Sequence, residues 1–131
     1  MFGWPLARTE DEKHLLLRSL QDHGDWLADP EHQSSGNHAL HQDVGLLVVG
    51  SFLRREDWQR LTLKRMSDLF TSSFDISGAN DEGSIQYHQL NLSWWKKAWE
   101  RVALEGLKMP PEIDDRLHLA AEFLALSLIH I

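Results

Sequence analysis

GNHALHQDVGLLVVGSFL, residues 36–53, is the stretch on which the fold turns. Its second half, VGLLVVGSFL, is apolar nearly all round, so as a helix it keeps no face for water and belongs inside a core. Gly45 and Gly50 leave room there for neighbouring helices to come close. The first half differs in kind. Asn37 and His38 directly follow a Ser34-Ser35-Gly36 loop signal, and His41 comes one turn later, where a loop hands over to a helix. The expected helix runs from about Asn37 to Leu53 and needs other helices around it.

Those helices are legible on both sides. Thr9 followed by Glu12 is a capping-box signature, opening a helix that reaches about Leu27. Leu15, Leu16, Leu20, Trp26 and Leu27 give it an apolar side, and Gly24 is its weak point. After Pro30 and the serine-glycine loop comes the central helix. A third helix is expected from about Glu56 to Phe70, with Trp58, Leu61, Met66, Leu69 and Phe70 as core candidates. SFDISGANDEGS, residues 73–84, then breaks the pattern with turn-forming residues. A fourth helix is expected from about Ser84 to Leu107, before the Pro110-Pro111 stop, and a fifth in EIDDRLHLAAEFLAL beyond it. With no convincing strand or internal repeat, the expected fold is all-α, built of antiparallel helical hairpins.

Composition narrows the function. At 131 residues the chain has room for one modest domain, and 42% hydrophobic with 25% charged residues is ordinary for a water-facing globular protein. The net charge of −7 argues against a general nucleic-acid binder, which needs a basic face for phosphates. It also requires any anionic polymer to meet a locally positive groove. No apolar run reaches about 18 residues, so no membrane span is expected. MFGWPLARTEDEK, at the start, lacks the basic opening and apolar stretch of a signal peptide. Zero cysteines exclude disulfides and thiolate metal sites. Six tryptophans suit helix interfaces or sugar-stacking platforms, and composition does not separate the two.

Two constellations carry chemistry. Asn37 suits a helix cap, and a helix N-terminus equally suits an anion such as a carboxylate. His38 adds a donor or a charge near neutral pH, and His41 lies one turn away. Two histidines three apart with no third partner make a poor metal site, so no metal or cofactor is expected. The second constellation is NDEGSIQYHQLN, residues 80–91. The sole tyrosine, Tyr87, aligns with Asn91, Trp94 and Ala98 on one helical strip. His88, Leu92, Trp95, Trp99 and Val102 form a second strip that reads as the core face, with His88 at its edge. Trp94 with Lys96, Lys97 and Arg101 is a basic-aromatic patch, either a solvated face or the wall of an anionic groove. Glu82 favours a helix N-terminus electrostatically.

GNHALHQDVGLLVVGSFLRREDWQRL and DEGSIQYHQLNLSWWKKAWERV together resemble the helical domain of heparinase II/III-like and alginate-lyase-like polysaccharide lyases. The resemblance rests on an Asn-His pair opening a buried helix and, some fifty residues on, a Glu-x-Ser-x-x-Tyr-His segment opening another. It runs from about Ser34 to Val102. It implies part of an incomplete (α/α) toroid, separated from the C-terminal β-sandwich domain such lyases carry. It also implies β-elimination on a uronic-acid polysaccharide, the expected partner; no nucleic acid and no membrane is expected as one.

In that chemistry donors stabilise the charge that spreads onto the uronate carboxylate as the proton alpha to it leaves. By resemblance Asn37 and His38 are those donors, and Tyr87 is the catalytic acid or, once deprotonated, the base. A tyrosine pKa near 10 makes base duty costly unless positive charge lowers it. His41, Glu82, His88, Asn91 and Trp94 are the candidate substrate-binding residues. A further family histidine lies downstream of this stretch, so the chain alone is expected to be inactive. Two alternatives stay open: a non-catalytic helical carbohydrate-binding or interaction module, and a glycoside hydrolase using Glu82 and Asp43 as facing carboxyls. Finally, LSLIHI at 126–131 resembles a translated sequencing-library adapter, so residues 1–125 are expected to be the domain and 126–131 a non-native tail.

Overall fold

The computed structural model describes residues 9–74 and 85–129, with side chains up to 74 and from 89 to 126. Its elements are α1 (Glu10–Ala28), a single 3₁₀ turn (Pro30–His32), α2 (Gly36–Phe52), α3 (Glu56–Ser73), α4 (Ile85–Leu104) and α5 (Pro111–Ile129). No strand occurs among the described residues, and the fold is all-α as the sequence implies.

Local chemistry explains the ends. The capping box on α1 forms: the Glu12 N–H donates to Thr9 Oγ1 at 3.1 Å and the Thr9 N–H to Glu12 Oε2 at 3.2 Å. Helix α4 stops at Leu104, short of the expected Leu107, because Gly106 turns left-handed at φ 75°. The Leu107 N–H then reaches back to the Val102 carbonyl at 3.1 Å and the Gly106 N–H to Ala103 at 3.0 Å, satisfying carbonyls that the helix end exposes.

Helices α2 and α3 form an antiparallel hairpin. Gly50 of α2 meets Trp58 of α3, Ser51 meets Gln59, and Asp43 meets Arg65 further along. Gly24 is no weak point: the Trp58 ring lies against it, and a Cβ built there would run into Trp58 Cζ3. The glycine is what lets α1 dock on the hairpin. Gly50 has a similar role, since a Cβ there would sit 3.0 Å from Trp58 Cβ, whereas Gly45 has only an ordinary neighbour in Leu27.

The main core lies between α2, α3, α4 and α5. Phe70 stacks on Phe74 at 4.8 Å and meets Trp95 edge-on at 5.0 Å, with Leu40, Leu47, Met66, Leu92, Val102 and Ile113 around them. The core strip of α4 is as expected for Leu92, Trp95 and Val102. Trp99 is half-buried at its edge, donating its indole N–H to Asp114 Oδ1 at 2.8 Å and so tying α4 to α5. In α3, Trp58, Met66 and Phe70 are buried, while Leu61 and Leu69 are half-buried. Helix α1 is peripheral. Leu15 and Trp26, read as part of its apolar side, are 67% and 51% exposed. No described helix is long and apolar enough to cross a membrane.

Candidate functional site

Because α2 and α3 are antiparallel, the C-terminus of α1, the N-terminus of α2 and the C-terminus of α3 gather at one end of the bundle. Asn37 and His38 stand at that end. The N-cap of α2 is Ser35, extended at φ −120°, ψ 166°, and its side chain makes no capping hydrogen bond. Asn37 therefore does not cap the helix; it is the second residue inside it. Among the described residues the first-turn amides of Gly36, Asn37 and His38 receive no side-chain acceptor, and they carry the positive end of the helix dipole. Asn37 is half-buried and His38 exposed, and among the described residues neither side chain has a hydrogen-bond partner. Amides, a carboxamide and an imidazole without partners among the described residues thus stand together at one helix end, a donor set suited to an anion.

The approach to this helix is held in place. Gln42 donates from Nε2 to the His32 carbonyl at 3.2 Å and accepts at Oε1 from the Ser34 N–H at 2.9 Å. One side chain, a turn inside α2, thus clamps both sides of the 32–34 segment. Asp29 Oδ1 accepts from the Glu31 N–H at 3.0 Å and caps the 3₁₀ turn. Arg65, reaching across from α3, donates to the Leu27 and Ala28 carbonyls at 2.7 and 2.8 Å, closing the end of α1.

His41 connects this end to α4. Exposed on the outer side of α2, it meets Trp94 edge-on, with ring centroids 5.6 Å apart and planes at 74°. Trp94 itself is half-buried. Asn91, on the same strip, is only 4% exposed, and Ala98 is buried, so this strip is more enclosed than a free groove wall. Of the basic patch, Lys96 and Lys97 are exposed, while Arg101 pairs with Glu105 at 2.7 Å. Tyr87 and His88 fall in the first turn of α4, with side chains outside the described set, and Glu82 lies outside the described residues altogether.

Asp43 has no place in a cleft. It is 0% exposed, neither carboxylate oxygen has a hydrogen-bond partner, and Arg65 Nη1 stands 4.0 Å away. Burial pushes its carboxyl up to about 7 against the opposing pull of Arg65. A carboxyl so enclosed cannot face a substrate bond, which removes it from a hydrolytic pair. An open cleft of about 420 Å³ lies beside the 30–34 segment, walled by Gln33, Ser34, Lys64, Arg65, Asp68 and Ser72 among others. Lys64 there is neutralised by Asp68 at 2.9 Å, and none of the residues read from the sequence as candidate site residues lines it. No group of three or more His, Cys, Asp or Glu among the described residues is placed to hold a metal ion.

Sequence reasoning missed Gln42, Arg65 and the Trp26–His32 pair. Trp26 and His32 stack with centroids 4.3 Å apart and planes at 7°. Mid-helix polar residues such as Gln42 look like solvated surface in sequence, and only tertiary placement reveals their partners.

Compared with known proteins, residues 5–125 match the family model described as Heparinase II/III N-terminus. No curated protein and no solved structure matches.

Proposed function

This chain belongs to the heparinase II/III N-terminal family, and from that premise we propose that it is the helical part of a polysaccharide lyase acting on a uronic-acid polymer by β-elimination. The observation that carries this reading is the uncapped first turn of α2, where Asn37 and His38 offer unpartnered donors beside free amides. A uronate carboxylate on that turn is neutralised by the helix end and by both side chains. The carbanion-like charge that spreads onto it as the alpha proton leaves is thereby stabilised. Tyr87 gives its phenol proton to the departing glycosidic oxygen and, as phenolate, is the candidate for removing the alpha proton. The bond from the ring to that oxygen breaks as the ring double bond forms, and no water is consumed. His41 and Trp94 form the wall where α2 meets α4. Glu82 and His88 take the remaining substrate-facing roles, while Asn91, enclosed at 4% exposure, supports the strip from behind and does not touch substrate.

The test is ultraviolet absorbance of unsaturated uronate released by the full-length lyase carrying this domain. Tyr87→Phe is expected to abolish release with substrate binding retained. Asn37→Ala is expected to lower turnover by about 10²–10³, the usual cost of one oxyanion donor. Undiminished release by Tyr87→Phe refutes the assignment.

A further inference from the structure

Trp26 is a half-exposed tryptophan stacked on a second ring. One face of its indole lies on the His32 imidazole, ring centroids 4.3 Å apart and nearly parallel at 7°, and 51% of the residue remains exposed. With one face covered by the imidazole, the exposure that remains belongs to the opposite face and the ring edge. His32 is fixed in turn: its Nδ1 lies 2.9 Å from the Trp26 carbonyl oxygen. A carbonyl only accepts, so Nδ1 carries the proton. The His32 carbonyl is held by Gln42, and Arg65 bonds the carbonyls of Leu27 and Ala28, the two residues after Trp26. The platform is therefore braced from α1, α2 and α3, and little side-chain freedom is left to lose on binding.

We propose that the open face of Trp26, backed by His32, is a sugar-binding subsite that stacks an uncharged ring of the polymer, adjacent to the anion site at Asn37 and His38. This rests on the polysaccharide reading given above. Three observations shape it. A flat indole suits the C–H face of a pyranose, and a ring already fixed by stacking is pre-organised for it. Five residue steps lead from His32 to Asn37, a chain reach of at most about 18 Å, which a few sugar units span. The fixed charges beside the platform are acidic: Glu31 adjoins His32, Asp29 Oδ2 stands 3.9 Å from His32 Nδ1, and Arg65, which reaches in from α3, is buried and spent on backbone carbonyls. A uronate carboxylate is repelled there and drawn to the uncapped end of α2, so the two places sort charged from uncharged rings along one chain.

Calorimetric titration of the 131-residue chain tests this with two hexasaccharides. In a heparosan hexasaccharide uronates alternate with an uncharged amino sugar; in hexamannuronate every ring is charged. Trp26→Ala is expected to weaken the heparosan hexasaccharide about tenfold, within the range of an aromatic stacking contact. It is expected to leave the heparosan disaccharide unchanged and to affect hexamannuronate less. Trp26→Phe, which keeps a flat ring, restores most of the affinity. Circular dichroism and thermal melting should match wild type, because Trp26 lies outside the buried core. Unchanged heparosan-hexasaccharide affinity in Trp26→Ala overturns the subsite. An equal loss on the disaccharide overturns its separation from the anion site, and an equal loss on hexamannuronate overturns its preference for an uncharged ring. If the wild-type chain binds neither polymer, the polysaccharide reading falls and the subsite with it, an outcome distinct from a tryptophan that simply does not matter.

Discussion

Replacing Asp43 with asparagine tests how the bundle tolerates a charge at its centre. The carboxyl is fully enclosed, lacks hydrogen-bond donors, and titrates at about 7 instead of its ordinary 3.8. Its folded-state pKa is raised, so folding favours the protonated form. At pH below about 4 the group is neutral in both folded and unfolded chains and costs nothing. As pH rises from about 4 to about 7 the unfolded chain ionises while the folded one does not, and stability falls by about 1.4 kcal/mol per unit. Across that window the loss totals about 4 kcal/mol, with the attraction of Arg65 already counted. Against a typical domain stability of about 5–15 kcal/mol this is a large share.

The asparagine side chain has nearly the same shape as the aspartate it replaces and no charge to desolvate. Urea unfolding at pH 5, 6, 7 and 8 should show wild type weakening steadily to pH 7 and then levelling, with Asp43→Asn lacking that component. The difference between the two proteins isolates this carboxyl from every other titrating group. The variant should gain the most at pH 8, up to about 4 kcal/mol, and only about 1.5 kcal/mol at pH 5. Parallel pH profiles for the two proteins would refute the reasoning, because they would mean that the carboxyl is solvated or donated to in the folded state.

The same apparatus checks two further substitutions. Gly24→Ala places a Cβ where the Trp58 ring now lies, so α1 must shift or lift; a cost of about 1–3 kcal/mol is expected, read as a lower urea midpoint. Thr9→Ala removes one half of the capping box on α1 and should cost about 1 kcal/mol, with loss of helical circular dichroism confined to a small fraction.

Much of the helix order was legible because its punctuation is local. Thr9 with Glu12 marks a start by hydrogen bonds within one turn, and Pro110-Pro111 separates the last two helices, Pro111 with its fixed φ being the first residue of α5. Misreadings arose where a residue answers to something far along the chain. Gly24 looked like a flaw in α1 until Trp58, carried by α3, proved to occupy the space it leaves. Gly106 ended α4 early through a left-handed turn that apolar spacing does not encode. Trp26 shared the helical spacing of a core residue yet faces water, since α1 touches the bundle along a narrow line and periodicity does not report how wide that line is.

The candidate site divides in the same way. The loop-to-helix junction at Asn37 and His38 could be read from Ser34-Ser35-Gly36, whereas Ser35, not Asn37, holds the cap position. Asp43 offered no sign of burial, because an acidic residue within a helix usually faces water and its arginine partner belongs to another element.

These features share one physical logic at a single end of the bundle. Leaving the first turn of α2 without a side-chain cap forgoes about 1 kcal/mol, and enclosing Asp43 at neutral pH costs more. Both costs fall beside clamps that would otherwise be excessive: Gln42 on both sides of the 32–34 segment, and Arg65 on two carbonyls of α1. Had the clamps served stability alone, an asparagine or aspartate at position 35 and an apolar residue at 43 would have achieved it with fewer parts. What the clamps hold is the segment leading into α2, whose first-turn amides have no side-chain acceptor among the described residues. Donors that are rigid and unpaired before a ligand arrives lose little freedom when an anion takes them up, and that is the condition under which hydrogen bonds stabilise a developing charge.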